Sequence, residues 1–156
     1  MTGDSEWTVR AIGVVSSSRT EAIDDDWGAI EATITLVAPY AADALRGLSE
    51  FSHLEVIYLF DRVDPTSVTV GSRVPRGNPA WPEVGIFAQR AKFRPNRIGL
   101  ATCELLEVSG ATVRVRGLDA IDGTPVLDIK PYMTEFGPRG LVSQPAWSHE
   151  LMAGYY

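Results

Sequence analysis

Short runs of alternating apolar and polar residues, punctuated by glycine and proline, make up most of this chain. The clearest run is 29–37, in which apolar residues take every second position: Ile30, Ala32, Ile34 and Leu36. A period of two places all these side chains on one face of a strand. The sequence therefore predicts a half-buried β-strand here.

Similar runs predict further strands at 8–15, 53–63, 85–90, 100–108, 112–118 and 125–129, with Ser109-Gly110 turning a hairpin. A short helix is expected at 41–48, after Pro39, and a last helical turn at 147–152. Many short strands with little helix are typical of an antiparallel barrel or sandwich. We predict a mainly β fold in a single domain, 1–156, with its core at about 8–135 and a tail at 136–156.

Several classes of site are disfavoured by what the chain contains. No glycine-rich strand–turn–helix lies near the N-terminus, which argues against a Rossmann or P-loop nucleotide site. With two histidines and a single cysteine, we predict no metal site. Cys103 is interpreted as a core residue, and His53 as a buried histidine more readily than a catalytic one.

Composition places the chain among ordinary globular proteins, with 45% hydrophobic and 22% charged residues in 156. No stretch approaches the roughly 20 apolar residues that a membrane-spanning helix needs. The first seven residues are polar and acidic, unlike a signal peptide. We therefore expect a cytoplasmic protein with no membrane association.

Charge is distributed unevenly along the chain, whose net charge is −6. Between residues 73 and 97 the only acid is Glu83, and six basic residues fall there: Arg73, Arg76, Arg90, Lys92, Arg94 and Arg97. A basic face on an acidic protein can meet a phosphate or carboxylate ligand. From charge alone, a solvated basic loop explains the window equally well.

Two segments combine glycine, proline and charged residues in a way that mere scaffold does not require. The first reads Gly85-Ile-Phe-Ala-Gln-Arg-Ala-Lys-Phe-Arg-Pro-Asn-Arg-Ile-Gly-Leu100. The second reads Gly117-Leu-Asp-Ala-Ile-Asp-Gly-Thr-Pro-Val-Leu-Asp-Ile-Lys-Pro-Tyr132. Arginine is suited to bidentate capture of carboxylate or phosphate, and glycine lets backbone approach a ligand closely.

These segments resemble the signature of the TrmO (TsaA-like) family, which reads G-[VI]-F-A-x-R, R-P-N-P-I-G and D-x-x-D-G-T-P-V-x-D-I-K-P-Y. Upstream matches are Ala38-Pro39-Tyr40, Leu45-Arg-Gly-Leu48 and Phe51-Ser-His-Leu54. The resemblance covers roughly residues 9–132. It implies a β-barrel methyltransferase outside the Rossmann class, with S-adenosylmethionine bound across a homodimer. It also implies N6-methylation of threonylcarbamoyl-adenosine beside the tRNA anticodon; alternatives are a small-molecule acceptor or a non-catalytic S-adenosylmethionine-binding protein.

The resemblance also implies roles for individual residues. The cofactor positions would be Asp26, Trp27, Gly28, Asp61, Arg62, Arg90, Leu100, Arg116, Gly117, Leu118 and Asp119. The polar lining of the catalytic site would be Asp122, Asp128, Lys130 and Tyr132, and the substrate contacts Arg94, Asn96 and Trp81. Structural roles compete for several of these: Asp122 as a turn former, Asp128 as a strand-end acceptor, Trp81 as a plug in the dimer interface.

The match departs from the family pattern at identifiable positions. Arg97 stands where proline is usual, Asp61 where histidine is frequent, and Glu55 where an aromatic or aliphatic residue is common. The loop 77–82 also differs, and its Trp81 offers a stacking surface for a base. These differences fall mainly on the expected ligand contacts.

Overall fold

Six antiparallel strands close into a barrel in the computed structural model, which describes residues 3–156. The order around the barrel is β1-β2-β7-β6-β3-β8, with β8 returning to β1. The barrel strands are β1 Gly13–Ser17, β2 Glu31–Leu36, β3 His53–Leu59, β6 Ile98–Ser109, β7 Thr112–Arg116 and β8 Pro125–Pro131. The predicted mainly β fold is confirmed, as a barrel and not a sandwich.

The barrel interior is filled by alternate residues of each strand. In β2 the inward positions are Ala32, Ile34 and Leu36, and in β3 they are Leu54, Val56 and Tyr58. Each fully buried aliphatic side chain contributes about 1.5–3 kcal/mol relative to an exposed one. The period of two seen in the sequence therefore determines which face of each strand is buried in the core.

The hairpin predicted at Ser109-Gly110 joins β6 to β7, with Ser109 paired to Thr112. Gly110 has φ of +56°, a conformation that glycine adopts without a Cβ penalty. The register shifts between Leu105 and Glu107, a bulge that bends the long strand β6 around the barrel.

Because neighbouring strands run in opposite directions, the connections collect at two ends of the barrel. The loops 18–30, 60–97 and 117–124 lie at one end, here called the loop-rich end. The segment 37–52, the hairpin and the chain after Pro131 lie at the other, the hairpin end. Every predicted cofactor position except Leu100 and Arg116, which lie in strands β6 and β7, belongs to a loop of the loop-rich end.

The longest of these connections, 60–97, contains the two-stranded pair β4 (Ser72–Arg73) and β5 (Val84–Gly85). Its organising residue is Gln89, buried at 8% exposure, whose Nε2 donates to the carbonyls of Arg73 (2.9 Å) and Val84 (3.0 Å). The strand predicted at 85–90 is wrong. Residues Ile86–Ala88 form a 3₁₀ turn because Ile86 and Gln89 both point into the loop's own small core.

Three other predictions need correction. Strand β1 covers Gly13–Ser17, not 8–15. The helix expected at 41–48 is two 3₁₀ turns, Ala42–Leu45 and Leu48–Glu50, separated by the left-handed Gly47. His53 is exposed, with its Nδ1 2.8 Å from the Ser52 hydroxyl, because it lies on the outward face at the start of β3. Cys103 is buried in the core, as expected.

The tail runs from the hairpin end back along the barrel to the loop-rich end. Its helix α1, Ala146–Met152, confirms the predicted last helical turn. Beyond the helix, the carbonyls of Gly154 and Tyr155 accept the N–H groups of Asp26 (3.0 Å) and Trp27 (2.8 Å). Within residues 3–156, no helix has the length and apolar character needed to cross a membrane.

Candidate functional site

Asp119 is the centre of a side-chain cluster at the loop-rich end. It is placed there by the two residues before it: Gly117 turns the chain with φ of +83°, and Leu118 is fully buried in the core. Its Oδ1 accepts a hydrogen bond from the Tyr58 hydroxyl at 2.7 Å. Tyr58 is only 2% exposed, so the barrel wall itself fixes this side of the carboxylate.

The tail supplies the second partner of that carboxylate. The Tyr155 hydroxyl donates to Oδ2 of Asp119. Burial raises the pKa of Tyr155 well above its ordinary value, and the negative charge of Asp119 raises it further. The same two causes act on Tyr58. Both phenols therefore stay protonated and remain donors at physiological pH.

The segment 26–28 lies against the same part of the tail. Trp27 is buried at 3% exposure, and the Arg19 guanidinium lies 4.3 Å from the centre of its ring. A Cβ on Gly28 would come within 2.6 Å of the backbone carbon of Tyr156. Only glycine lets the two backbones approach this closely.

Arg90 and Leu100 form one further contact in this region. The guanidinium of Arg90 donates to the Leu100 carbonyl at 2.6 Å. Its positive charge partly offsets the rise in the pKa of Tyr156, which burial and Asp119 raise to about 12. Arg90 is therefore close enough to the Asp119 cluster to act on it electrostatically. Four predicted cofactor positions thus contact the end of the tail, namely Asp26, Trp27, Gly28 and Asp119, and Arg90 lies near it and is bonded to Leu100.

Two of the predicted cofactor side chains point elsewhere. Arg116 lies on the outer face of the barrel, 3.0 Å from carboxylate oxygens of both Glu31 and Glu104. These hydrogen bonds and charges raise the pKa of Arg116. The Leu118 side chain is in the core. Leu118 can therefore offer a ligand only its backbone groups, and the Arg116 side chain is engaged by carboxylates on the outer face.

Arg62 and Asp122 link neighbouring loops. The Arg62 guanidinium donates to the carbonyls of Thr20 (3.3 Å) and Asp122 (3.1 Å), while Asp61 beside it is exposed. Oδ1 of Asp122 accepts the N–H of Ser17 at 2.9 Å. This bond ties the turn at Asp122-Gly123 to the end of strand β1, which is a structural role for Asp122.

The other three predicted catalytic residues lie on or just after β8, towards the hairpin end. Asp128 and Lys130 form an ion pair of 2.9 Å that raises the pKa of the lysine, and the Tyr132 N–H donates to the His53 carbonyl. Asp122 and Asp128 line different cavities, of about 440 and 590 Å³. The two carboxylates therefore do not share a cavity within one protomer.

The predicted substrate contacts all lie in the loop 60–97. Arg94 donates to the Gln89 carbonyl at 2.7 Å and so braces its own loop. Asn96 is exposed, in a left-handed conformation with φ of +62°. The Trp81 indole N–H donates to Oε2 of Glu150 at 2.7 Å, which ties the loop to helix α1.

Sequence reasoning missed two members of the site, Tyr58 and Tyr155. Tyr58 reads as one more apolar residue of a buried strand, and Tyr155 is 36 residues from its partner Asp119. The only available signal was the pair of adjacent tyrosines at 155 and 156.

The groups gathered here suit a particular kind of ligand. Each oxygen of the Asp119 carboxylate can accept two hydrogen bonds, so it can take a vicinal diol in addition to its tyrosine donors. The Arg90 guanidinium can bind a carboxylate, and the site lies beside aromatic rings. An amino-acid-bearing nucleoside has this combination of groups. Among residues 3–156, no group of three or more His, Cys, Asp or Glu side chains is arranged to hold a metal ion.

A family model and the sequences of similar proteins point to the same family. A family model, the tRNA-methyltransferase O N-terminal domain, matches residues 25–137. A Methanothermobacter thermautotrophicus protein named "Probable S-adenosyl-L-methionine-binding protein" is 40% identical over 140 residues, covering 88% of this chain and 98% of its own length. The tRNA (adenine(37)-N6)-methyltransferase of Escherichia coli is 38% identical over 141 residues, covering 83% of this chain.

Comparison with solved structures gives the same family. A crystal structure of TrmO from Pseudomonas aeruginosa superposes with a TM-score of 0.76 at 27% identity, covering 94% of this chain. The chain spans 59% of the Escherichia coli enzyme and 64% of that Pseudomonas aeruginosa chain.

Proposed function

The chain belongs to the TrmO (TsaA-like) family, and on this premise we propose that it is an S-adenosylmethionine-dependent methyltransferase acting on N6 of threonylcarbamoyl-adenosine beside the tRNA anticodon. The observation that carries the proposal is the convergence of Asp119, Arg90 and residues 26–28 at one end of the barrel. These are positions that the family resemblance assigns to the cofactor.

The proposed cofactor contacts follow from the chemistry of the side chains. Asp119 would accept the ribose hydroxyls, and Arg90 would bind the methionine carboxylate. Backbone groups of 116–118 and the Leu100 region would contact the adenine. When bound, S-adenosylmethionine supplies an electrophilic methyl group on a sulfonium centre. The chain's own task is to hold that centre in line with the acceptor and to exclude water.

A conjugated nitrogen is a poor nucleophile, so a nearby acceptor for its proton should assist. We propose the cluster of Asp128, Lys130 and Tyr132 as polar lining for the acceptor. Since Asp128 lines a cavity with residues of the hairpin end, the proposal includes a homodimer in which a second protomer brings this cluster to the first protomer's loop-rich end. Exposed apolar side chains there, Phe87 (78%) and Leu100 (43%), are compatible with such an interface.

The basic window provides the proposed tRNA contact. Arg76 is paired with Asp25 at 2.9 Å, which cancels one charge. In the part of the chain that the structure describes, no carboxylate lies within 4.0 Å of four other basic groups of the loop: Arg73, Lys92, Arg94 and Arg97. Such groups can meet phosphates, and Arg94, Asn96 and Trp81 are the proposed contacts to the modified nucleotide.

The whole of 1–156 is proposed as one domain, with 136–156 part of it, because the tail contacts both the loop Trp81 and Asp119. A cytoplasmic location fits a tRNA substrate and completes the proposal.

Transfer of label from S-[methyl-³H]adenosylmethionine to tRNA tests this function. We expect label on tRNA from cells that make threonylcarbamoyl-adenosine and none on tRNA from cells that lack it. Equal label on both, or on neither, would refute the assignment. A parallel incubation with the small-molecule fraction of the same cells would reveal a methyl acceptor other than tRNA.

A further inference from the structure

We infer that Tyr155 is a positioning residue of the cofactor site, which together with Tyr58 holds the Asp119 carboxylate so that its remaining lone pairs meet a ribose diol. The inference rests on the proposed cofactor site at Asp119 and goes beyond it by making the tail part of that site. It assigns a role to a residue outside the family-model match, which ends at residue 137.

The hydrogen bonding of the carboxylate is symmetrical. Oδ1 of Asp119 accepts from Tyr58 and Oδ2 accepts from Tyr155. An ionised carboxylate has about four acceptor positions, two on each oxygen. One tyrosine on each oxygen leaves one position free on each. Two free positions on adjacent oxygens match the two hydroxyls of a vicinal diol.

Both donors are themselves held in place. Tyr58 lies in strand β3, where its ring contacts that of Phe60 edge-on at 5.3 Å between centroids. Tyr155 is held by the tail, whose carbonyls at Gly154 and Tyr155 accept the N–H groups of Asp26 and Trp27. Its ring also contacts that of Tyr156 edge-on at 4.9 Å. Because two fixed donors already hold the Asp119 carboxylate, its side chain loses little further conformational freedom when a ligand binds.

The tail is fastened at a second point, away from the carboxylate. Helix α1 is tied to the loop 60–97 by the hydrogen bond from Trp81 to Glu150. Tyr155 follows three residues after the helix ends at Met152. Weakening this bond should therefore loosen Tyr155 without touching the carboxylate.

The experiment measures binding of two ligands to the full chain by calorimetry: S-adenosylhomocysteine and its 2′,3′-dideoxy analogue. For Tyr155→Phe, which removes one oxygen and keeps the ring, we expect about 5- to 10-fold weaker binding of S-adenosylhomocysteine, in the range of one hydrogen bond of ordinary net strength. For the dideoxy analogue we expect less than 2-fold change. Tyr156→Phe is the matched control and should leave both affinities within about 2-fold.

Two results would overturn the inference. Tighter binding of S-adenosylhomocysteine by Tyr155→Phe would mean that the tail competes with the ligand for Asp119. An equal loss with both ligands would mean that Tyr155 only supports the fold. Trp81→Phe is a second variant for the case in which Tyr155→Phe does not fold, and it should weaken S-adenosylhomocysteine binding more than that of the dideoxy analogue.

The same measurements distinguish a failure of the proposed cofactor site from a failure of the role of Tyr155. If wild-type protein binds neither ligand, or if Arg90→Ala binds S-adenosylhomocysteine as well as wild type does, the cofactor site itself is misplaced. If wild type binds and Arg90→Ala does not, while Tyr155→Phe is indistinguishable from wild type, only the role of Tyr155 is refuted.

Discussion

Gly99 lies directly against the ring of Tyr58, so that a Cβ built on Gly99 would come within 2.5 Å of Cζ of that ring. The two residues face each other across the β3–β6 pairing. This close approach lets the Tyr58 hydroxyl reach Asp119 from inside the barrel wall.

Replacing Gly99 by alanine should therefore displace the Tyr58 ring. We expect the free energy of unfolding to fall by about 1–3 kcal/mol, the usual range for overpacking a tight core. Urea denaturation checks this. Gly71→Ala is the control, since its Cβ would meet nothing within 4 Å, and it should change stability by no more than about 0.5 kcal/mol. Equal effects of the two substitutions would contradict the close approach of Gly99 to the Tyr58 ring.

Gly28→Ala should detach the end of the tail, because its Cβ would meet the Tyr156 backbone at 2.6 Å. We expect faster hydrogen exchange of the amides in 153–156, with protection of β2 unchanged. Mass spectrometry of peptides from this region measures it. Gly85→Ala, whose Cβ has open space, is the matched control. Unchanged exchange in the tail of Gly28→Ala would show that the two backbones are not in contact.

Arg97→Pro should destabilise the chain even though the family pattern usually has proline at this position. Arg97 has φ of +51°, and its N–H donates to the Arg94 carbonyl at 3.0 Å. Proline can neither adopt the positive φ nor donate an N–H. We therefore expect the free energy of unfolding to fall by about 2–3 kcal/mol. Arg97→Gly tolerates the positive φ and should lose less. Thermal unfolding compares the two, and a Pro variant as stable as the Gly variant would contradict this backbone conformation.

Cys103 should resist thiol reagents in the folded protein. Burial, followed by the negative charge of Asp119, raises the pKa of its thiol from 9.0 to about 12. Since the neutral thiol is favoured in the folded state, its contribution to stability is complete below pH 9 and is lost as pH rises towards 12. We expect negligible labelling by iodoacetamide at pH 8 and full labelling in urea. Rapid labelling of the folded protein at pH 8 would place Cys103 outside the core.

Arg90 and Arg116 should differ in their effect on cofactor binding. We expect Arg90→Ala to weaken binding of S-adenosylhomocysteine at least 10-fold, because its guanidinium lies in the Asp119 region. Arg116→Ala should stay within about 3-fold, since its side chain pairs with Glu31 and Glu104 on the outer face. Calorimetry on both variants checks this, and a larger effect at Arg116 would reverse the assignment.

Local patterns along the chain predict most of the barrel strands and identify the family. Alternation in β2 and the glycine at 110 are local signals, because strand period and turn conformation depend on neighbouring residues. The ordered motif run from Gly85 to Tyr132 identified the family for the same reason: its residues can be compared one by one along the chain. The 3₁₀ turn at Ile86–Ala88 is not predicted by local patterns, because it depends on the burial of Gln89, which is a tertiary effect.

Which of the predicted residues come into contact depends on how the strands and loops pack in three dimensions. The path of the tail brings Tyr155 to Asp119, while Asp122 and Asp128 line different cavities. Strand alternation turns Arg116 outwards, although its neighbours Gly117 and Leu118 are buried. Such contacts join residues far apart in the chain, and their geometry is set by how the barrel closes, which no local pattern records.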